Sequence, residues 1–266
     1  MELDPILKNI RVILFEVQHS GNLGAVARAM KNFGLSDLVL VRPKAEINEQ
    51  ARSMASKAQK ILREAKRVSS LSEALNNTQW AIGFTGLKEK RSEDQIPYEE
   101  LIPLAMETAC HHRIALVFGR EDWGLSHEAI DCCRYLTHLP LHPHYESLNL
   151  SQAVLLAAFH LFNYGIKNFD LSSKGFGLIP AKEQINEADF SQRKELYEDL
   201  LESLKKIGLI HPLTENSSMR NIRRFLERTK MSQKEIKIFR GFCRQLRWAK
   251  KRFSLDFSSP DPPKEF

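Results

Sequence analysis

The stretch "IRVILFEVQHSGNLGAVARAMKNFG", residues 10–34, decides how the chain is read. Its first part, Ile10 to Val17, is largely apolar, as expected of a strand covered on both faces. A turn bearing Gly and Asn follows. Leu23 to Phe33 then places apolar residues at helical spacing and closes on Gly34, a residue suited to the position just past a helix. Strand, polar turn and helix form the start of a βα unit. Gly21 and Gly24 signal that backbone comes close to something, which the residues alone leave open as phosphate, a cofactor or another piece of chain. Arg28, on a helix face otherwise small and apolar, needs a partner of its own.

The same alternation continues outward. Leu38 to Val41, Trp80 to Phe84, Ile114 to Phe118 and Tyr135 to Leu139 read as further strands. Helices are expected within Asn48 to Arg67, Leu71 to Asn76, Tyr98 to Ala109, Ser126 to Asp131 and Leu150 to Phe162. This predicts an α/β domain over residues 1–167 with a largely parallel sheet. "NFDLSSKGFGLIP", residues 168–180, is rich in Ser, Gly and Pro, and a linker is placed over 168–190. Beyond it the pattern is helical only: Ser191 to Ile207, Asn216 to Arg228 and Ser232 to Arg252. The last opens on "SQKE", a capping box in which Glu235 follows Ser232. A basic helical domain is expected over 191–255, with Ile236, Phe239, Cys243 and Leu246 as its packing stripe, and a disordered tail over 256–266.

The chain has 266 residues, 42% hydrophobic and 27% charged, the balance of a soluble globular protein. No apolar run approaches the roughly 20 residues that a membrane span needs. "MELDPILKNI" carries no export pattern, so a cytoplasmic location is expected. Cys110, Cys132, Cys133 and Cys243 fit neither a disulfide framework nor a zinc spacing and are read as reduced, buried thiols. Of the net charge of +6, the segment from Arg220 to Arg252 alone holds thirteen Lys or Arg against Glu227 and Glu235. Such a focused basic face is the footprint of a phosphate-backbone binder.

Three polar, turn-rich segments stand at the ends of predicted strands: "HSGNLGAVARA" from His19, "FGREDWGLS" (Phe118 to Ser126) and "LPLHPHYESLNLSQAV" (Leu139 to Val154). In an open α/β sheet, such ends are where ligands bind. No G-x-G-x-x-G or G-x-x-x-x-G-K-[ST] loop is present, and no G-x-S-x-G elbow accompanies Ser126 or Ser147. His142 and His144 lack further ligands at metal spacing. On its own, Glu121 suits the N-terminus of the helix after it, Trp123 suits packing, and Ser147 suits the cap of the helix that starts near Asn149.

In this order and spacing the three segments resemble the motifs of the SpoU branch of the SPOUT methyltransferases. The residues are Asn22, Gly24, Ala25, Arg28 and Ala29, then Phe118, Gly119, Glu121, Gly124, Leu125 and Ser126, then Ser147 to Ser151. The resemblance implies a SPOUT-type parallel sheet with a trefoil knot at its carboxyl end, joined to a small all-α domain, and a homodimer. It also implies S-adenosylmethionine as cofactor, held in knot loops near Gly83 to Leu87, Phe118 to Gly124 and Leu139 to Asn149. Cofactor contacts would fall at Thr85, Gly86, Leu87, Gly119, Leu139, Glu146, Ser147 and Leu148. The implied reaction is 2′-O-methylation of tRNA ribose, at the cytidine or uridine of position 32 in the anticodon loop, without a metal. Another tRNA position, ribosomal RNA or a non-catalytic RNA-binding module are the alternatives. Arg28, Asn22, Glu121, Ser147, Asn149 and Tyr145 would form the catalytic set. For RNA contact, Lys88, Lys90 and Arg91 in the loop after the predicted strand Trp80 to Phe84, and Arg240, Arg244, Arg247 and Lys251 in the last helix, are the candidates.

Overall fold

The computed structural model describes residues 2–86, 95–142, 144–145, 147–169, 187–229 and 231–253, and the chain divides into two compact units, residues 1–181 and 182–266. In the first unit six strands pair in parallel: β1 (Ile10–Phe15), β2 (Asp37–Val41), β3 (Lys66–Val68), β4 (Trp80–Phe84), β5 (Ile114–Phe118) and β6 (Tyr135–Thr137). Their order across the sheet is β3-β2-β1-β5-β4-β6. Central β1 sets the register, with Val12 opposite Leu38 on one side and Leu116 on the other. Its residues are buried throughout, because helices cover both sheet faces.

One face is covered by α1 (Leu3–Lys8), α2 (Ser20–Asn32), α3 (Glu49–Ala55), α4 (Gln59–Glu64), α6 (Tyr98–Ala109) and α8 (Leu150–Asn168), whose apolar residues form one core with Ile10, Val12 and Leu14. On the other side α5 (Leu71–Ala74) and α7 (His127–Cys132) pack against β2 and β4. Arg11 is the buried charge in β1. Its guanidinium pairs with Asp37 at 2.9 Å and donates to the carbonyls of Ala74 and Asn76, so its donors are met inside the fold.

The strand order reverses between β1 and β5, and the turns after these two strands therefore emerge side by side. β4 lies between β5 and β6, which brings the turn after β4 to the end of β6, where the Thr85 amide donates to the Thr137 carbonyl at 2.9 Å. The chain then enters α8, which packs against α2. The three motif segments thus meet at the carboxyl ends of the strands.

Several elements differ from the sequence expectation. β3 overlaps the end of the stretch in which helices were expected, and that stretch breaks at Ser56, where φ is 49°. α1 had no predicted counterpart, and α8 runs on to Asn168. The cap of α8 is Asn149, not Ser147: the Asn149 Oδ1 accepts from the Ser151 amide at 2.9 Å, and Gln152 closes the capping box.

The second unit contains α9 (Phe190–Lys206), α10 (Glu215–Glu227) and α11 (Gln233–Phe253). Leu196, Tyr197, Met219, Leu226 and Ile236 share its core. The Ser232–Glu235 capping box forms, with Glu235 accepting from the Ser232 amide at 2.7 Å. Of the expected packing stripe on α11, Ile236 and Cys243 are buried, whereas Phe239 is exposed beside Ile238 and Phe242. Among the described residues no helix is long and apolar enough to cross a membrane.

Candidate functional site

The glycines of the first motif serve the fold. A Cβ on Gly24 would stand 2.2 Å from the Ala51 carbonyl oxygen and 2.6 Å from the Met54 Cβ, so Gly24 is what lets α2 and α3 touch through backbone. Gly21 faces the Gln50 side chain at 3.3 Å. Of the readings left open, another piece of chain is what the structure brings against Gly24, whereas Gly21 meets only a flexible side chain. Gly119 does similar work at the second motif, since a Cβ there would meet the Gly124 carbonyl group at 2.1 Å.

One polar side chain from each of the three motifs, Asn22, Glu121 and Asn149, joins a single network. Glu121 turns away from α7, which Ser126 caps instead. Its Oε2 accepts from the Gln18 amide at 2.9 Å, and its Oε1 accepts from the His19 amide at 3.2 Å and the Asn22 Nδ2 at 2.7 Å. The Asn22 Oδ1 in turn accepts from the Asn149 Nδ2 at 3.2 Å. A single carboxylate therefore holds the end of β1, the start of α2 and, through Asn22, the start of α8. Arg28 points outward, exposed, and has no hydrogen-bond or ion-pair partner among the described residues. The network fixes its helix while leaving its charge unspent.

Around this network lies an ionic belt that the sequence did not announce. Glu16 and Arg42, at the ends of paired β1 and β2, both adopt left-handed backbone, with φ of 54° and 46°. Glu16 pairs with Arg42 at 3.1 Å and Arg120 at 3.8 Å, and Arg42 also reaches Glu128 at 3.1 Å. Arg120 grips Asp122 through two hydrogen bonds of 3.0 and 2.8 Å, which hold the Asp122 carboxyl below its usual value. No residue type in the segment signals left-handed turns at Glu and Arg.

The expected cofactor loops divide into described and undescribed parts. Thr85 is half-buried with its amide on Thr137, and above Gly86 no atom lies within 4 Å of where a Cβ would stand. Gly119 is buried, Leu139 and Leu148 are half-buried, and Ser147 and Tyr145 are exposed. Freed from capping, the Ser147 hydroxyl has no partner among the described residues. Leu87, Lys88, Lys90, Arg91 and Glu146 lie outside the described residues, as does part of the path that a knot would follow. His142 and His144 stand with ring centroids 5.2 Å apart, and among the described residues no group of three His, Cys, Asp or Glu is placed to hold a metal ion.

In the second unit the basic stripe of α11 splits in two. Arg240 pairs with Glu195 and with Asp199 at 2.7 Å, and Arg247 pairs with Asp199 at 3.0 Å and Glu202 at 3.2 Å. These two guanidiniums tie α11 to α9, which is at odds with the expectation that they face RNA. Lys237, Arg244 and Lys251, spaced by seven residues on one face, are exposed and have no partner among the described residues. The four cysteines are free thiols, but only Cys243 is buried and the other three are half-buried, short of the burial expected. Burial raises the Cys133 pKa well above its usual value and raises that of Cys110, as expected of inert structural thiols.

Comparison with known proteins adds relatives to this geometry. Residues 9–159 match the SpoU rRNA methylase family, and residues 191–256 match the C-terminal domain of the tRNA methyltransferase TrmJ. The tRNA (cytidine/uridine-2′-O-)-methyltransferase TrmJ of Pectobacterium atrosepticum is 33% identical over 236 residues, covering 89% of this chain and 95% of that protein. The tRNA (cytidine/uridine/adenosine-2′-O-)-methyltransferase TrmJ of Pseudomonas aeruginosa is 35% identical over 251 residues, 89% of this chain and 93% of its own length. Among solved structures, TrmJ from Z. mobilis superposes with a TM-score of 0.76 at 27% identity, covering 89% of this chain and 98% of that one.

Proposed function

Since this chain belongs to the SpoU rRNA methylase family, we propose that it is a tRNA 2′-O-methyltransferase that modifies the pyrimidine ribose at position 32 of the anticodon loop, with S-adenosylmethionine as methyl donor. The observation that carries the reading is the Glu121–Asn22–Asn149 network, which ties all three motifs together and leaves Arg28, on the same helix as Asn22, exposed and unpaired among the described residues. The names of the relatives supply the substrate class.

When bound, S-adenosylmethionine supplies a methyl group activated by its sulfonium charge. The residues present fit such a group: open backbone at Gly86, the uncommitted Ser147 hydroxyl, and half-buried Leu139 and Leu148 could hold it, together with Thr85 and Gly119. Arginine stays protonated up to a pH of about 12, so Arg28 is assigned electrostatic work rather than proton removal. It holds a backbone phosphate or stabilises charge developing on the ribose oxygen. Glu121, Asn22 and Asn149 are positioning residues, since their polar atoms are engaged with one another and with backbone. Ser147 and Tyr145 complete the rim.

Lys237, Arg244 and Lys251 are assigned to RNA phosphates, and the second unit acts as the grip. A homodimer accounts for the outward stripe of Leu155, Phe159 and Ile166 on α8, three large apolar residues on one helix face. With tRNA as substrate, the cytoplasm is its place of work. Labelled S-adenosylmethionine, unmodified total tRNA and mapping of ribose methylation across the anticodon loop test the reading. A methyl group at position 32 is expected; binding of tRNA without transfer, under conditions where the cofactor binds, overturns it.

A further inference from the structure

The second motif closes into a tight loop whose tip is Glu121, Asp122 and Trp123. Arg120 and Gly124 exchange two backbone hydrogen bonds of 2.9 Å, Gly124 takes φ of 70°, and the closure sits directly on Gly119. Glu121 is held by donors of Gln18, His19 and Asn22, and Asp122 is clamped by the Arg120 guanidinium. The third tip residue behaves differently. Trp123 is 78% exposed, and its ring has no hydrogen-bond or ring partner among the described residues. A rigid loop thus presents a bare indole two residues from the carboxylate that organises the site.

We infer that Trp123 is a stacking platform for an unpaired nucleobase, holding the RNA nucleotide beside the reacting ribose. The inference rests on the RNA reading of this site. The exposure excludes a packing role within this chain, and an apolar protein interface fits poorly. The neighbours of Trp123 on the loop are the charged Arg120 and Asp122, and interface cores are depleted in charge. A single planar face set among charges suits a planar ligand on a charged backbone. Proteins that read unpaired RNA stack its bases on aromatic side chains in this way, and a prefixed loop loses little freedom when the stack forms. Unpaired Arg28 provides the cation for the accompanying phosphate.

The test uses the full chain, an unmodified tRNA transcript and the variants W123A and W123F. W123A is expected to lower kcat/KM for tRNA about tenfold, chiefly through KM, while W123F stays within about threefold of wild type and S-adenosylmethionine affinity is unchanged in both. The difference in emission between wild type and W123F isolates this indole, and tRNA is expected to quench it and shield it from acrylamide. If W123A matches wild type within about twofold, or if W123F loses as much as W123A, stacking is overturned while the proposed reaction stands. Emission that changes with protein concentration and ignores tRNA assigns the indole to a second copy of the chain and also overturns it. A wild-type protein that binds tRNA and shows the quenching yet transfers no methyl group supports the stacking and removes the proposed reaction.

Discussion

Glu121 in the first unit and Asp199 in the second each gather several donors from distant parts of the chain, and they do so with opposite chemistry. Glu121 accepts from two backbone amides and the amide of Asn22, all neutral. Asp199 accepts from Arg240 and Arg247. Burial opposes ionisation of Asp199, but the two guanidiniums outweigh it and hold the carboxyl below its usual value. The first arrangement fixes geometry without consuming a cation, so Arg28 remains available. The second consumes two arginines to join α9 to α11 and leaves Lys237, Arg244 and Lys251 as the outward charge. A sequence rich in arginine therefore states how many cations exist, and the placement of carboxylates decides which ones can meet a ligand.

The largest effect that would break this contrast is expected at Arg28. Arg28→Ala should reduce methyl transfer about 100- to 1,000-fold in single-turnover assays while calorimetric affinity for S-adenosylmethionine stays at the wild-type level. An equal loss of cofactor binding would place Arg28 in the cofactor site instead. Glu121→Gln comes next. One of its two oxygens becomes an amide donor facing donors, so the variant should lose about 1–3 kcal/mol of stability. It should also lose about tenfold to 100-fold in rate by letting α2 shift, and retention of full activity would show that the network is not needed for alignment.

In the second unit Asp199→Asn should cost about 1–3 kcal/mol, read as a lower denaturant midpoint. Because the folded pKa of Asp199 lies below its unfolded value, its contribution is present at neutral pH and is lost as pH falls through the lowered folded value. Wild type and Asp199→Asn are expected to converge in acid and diverge toward neutrality; a constant gap would mean that the ion pairs are not its source. The smallest effect sharpens the division of the basic stripe. Replacing Lys237, Arg244 and Lys251 together by Ala should weaken tRNA binding and flatten its salt dependence by a log–log slope of about 2, at unchanged stability. Arg240→Ala should do the reverse, losing stability and leaving the slope nearly unchanged.

Legibility followed pattern length. β1, β4 and β5 stood out as apolar runs because both their faces are buried. β3 did not, since Lys66, Arg67 and Val68 form a short edge strand with mostly exposed side chains, defined only by pairing with Val39 to Val41. Ser147 and Asn149 are both good caps by type, and only the path of the chain into α8 chose Asn149. Trp123 is a residue that burial normally claims, yet the closure of its loop on Gly119 leaves it outside.

By itself the sequence determined the α/β class, the helical second part, the three motif segments and the family they resemble, because periodicity, turn residues and short motifs are local properties of a chain. Tertiary structure alone decided that Gly24 meets α3 and that Glu121 reaches back to Gln18, His19 and Asn22. It also decided that Arg240 and Arg247 are committed while Arg28 and Arg244 are not. The reason is physical: these facts depend on which groups lie within hydrogen-bond reach across separations of up to 103 residues, and a charge is free or spent according to neighbours that no local pattern specifies.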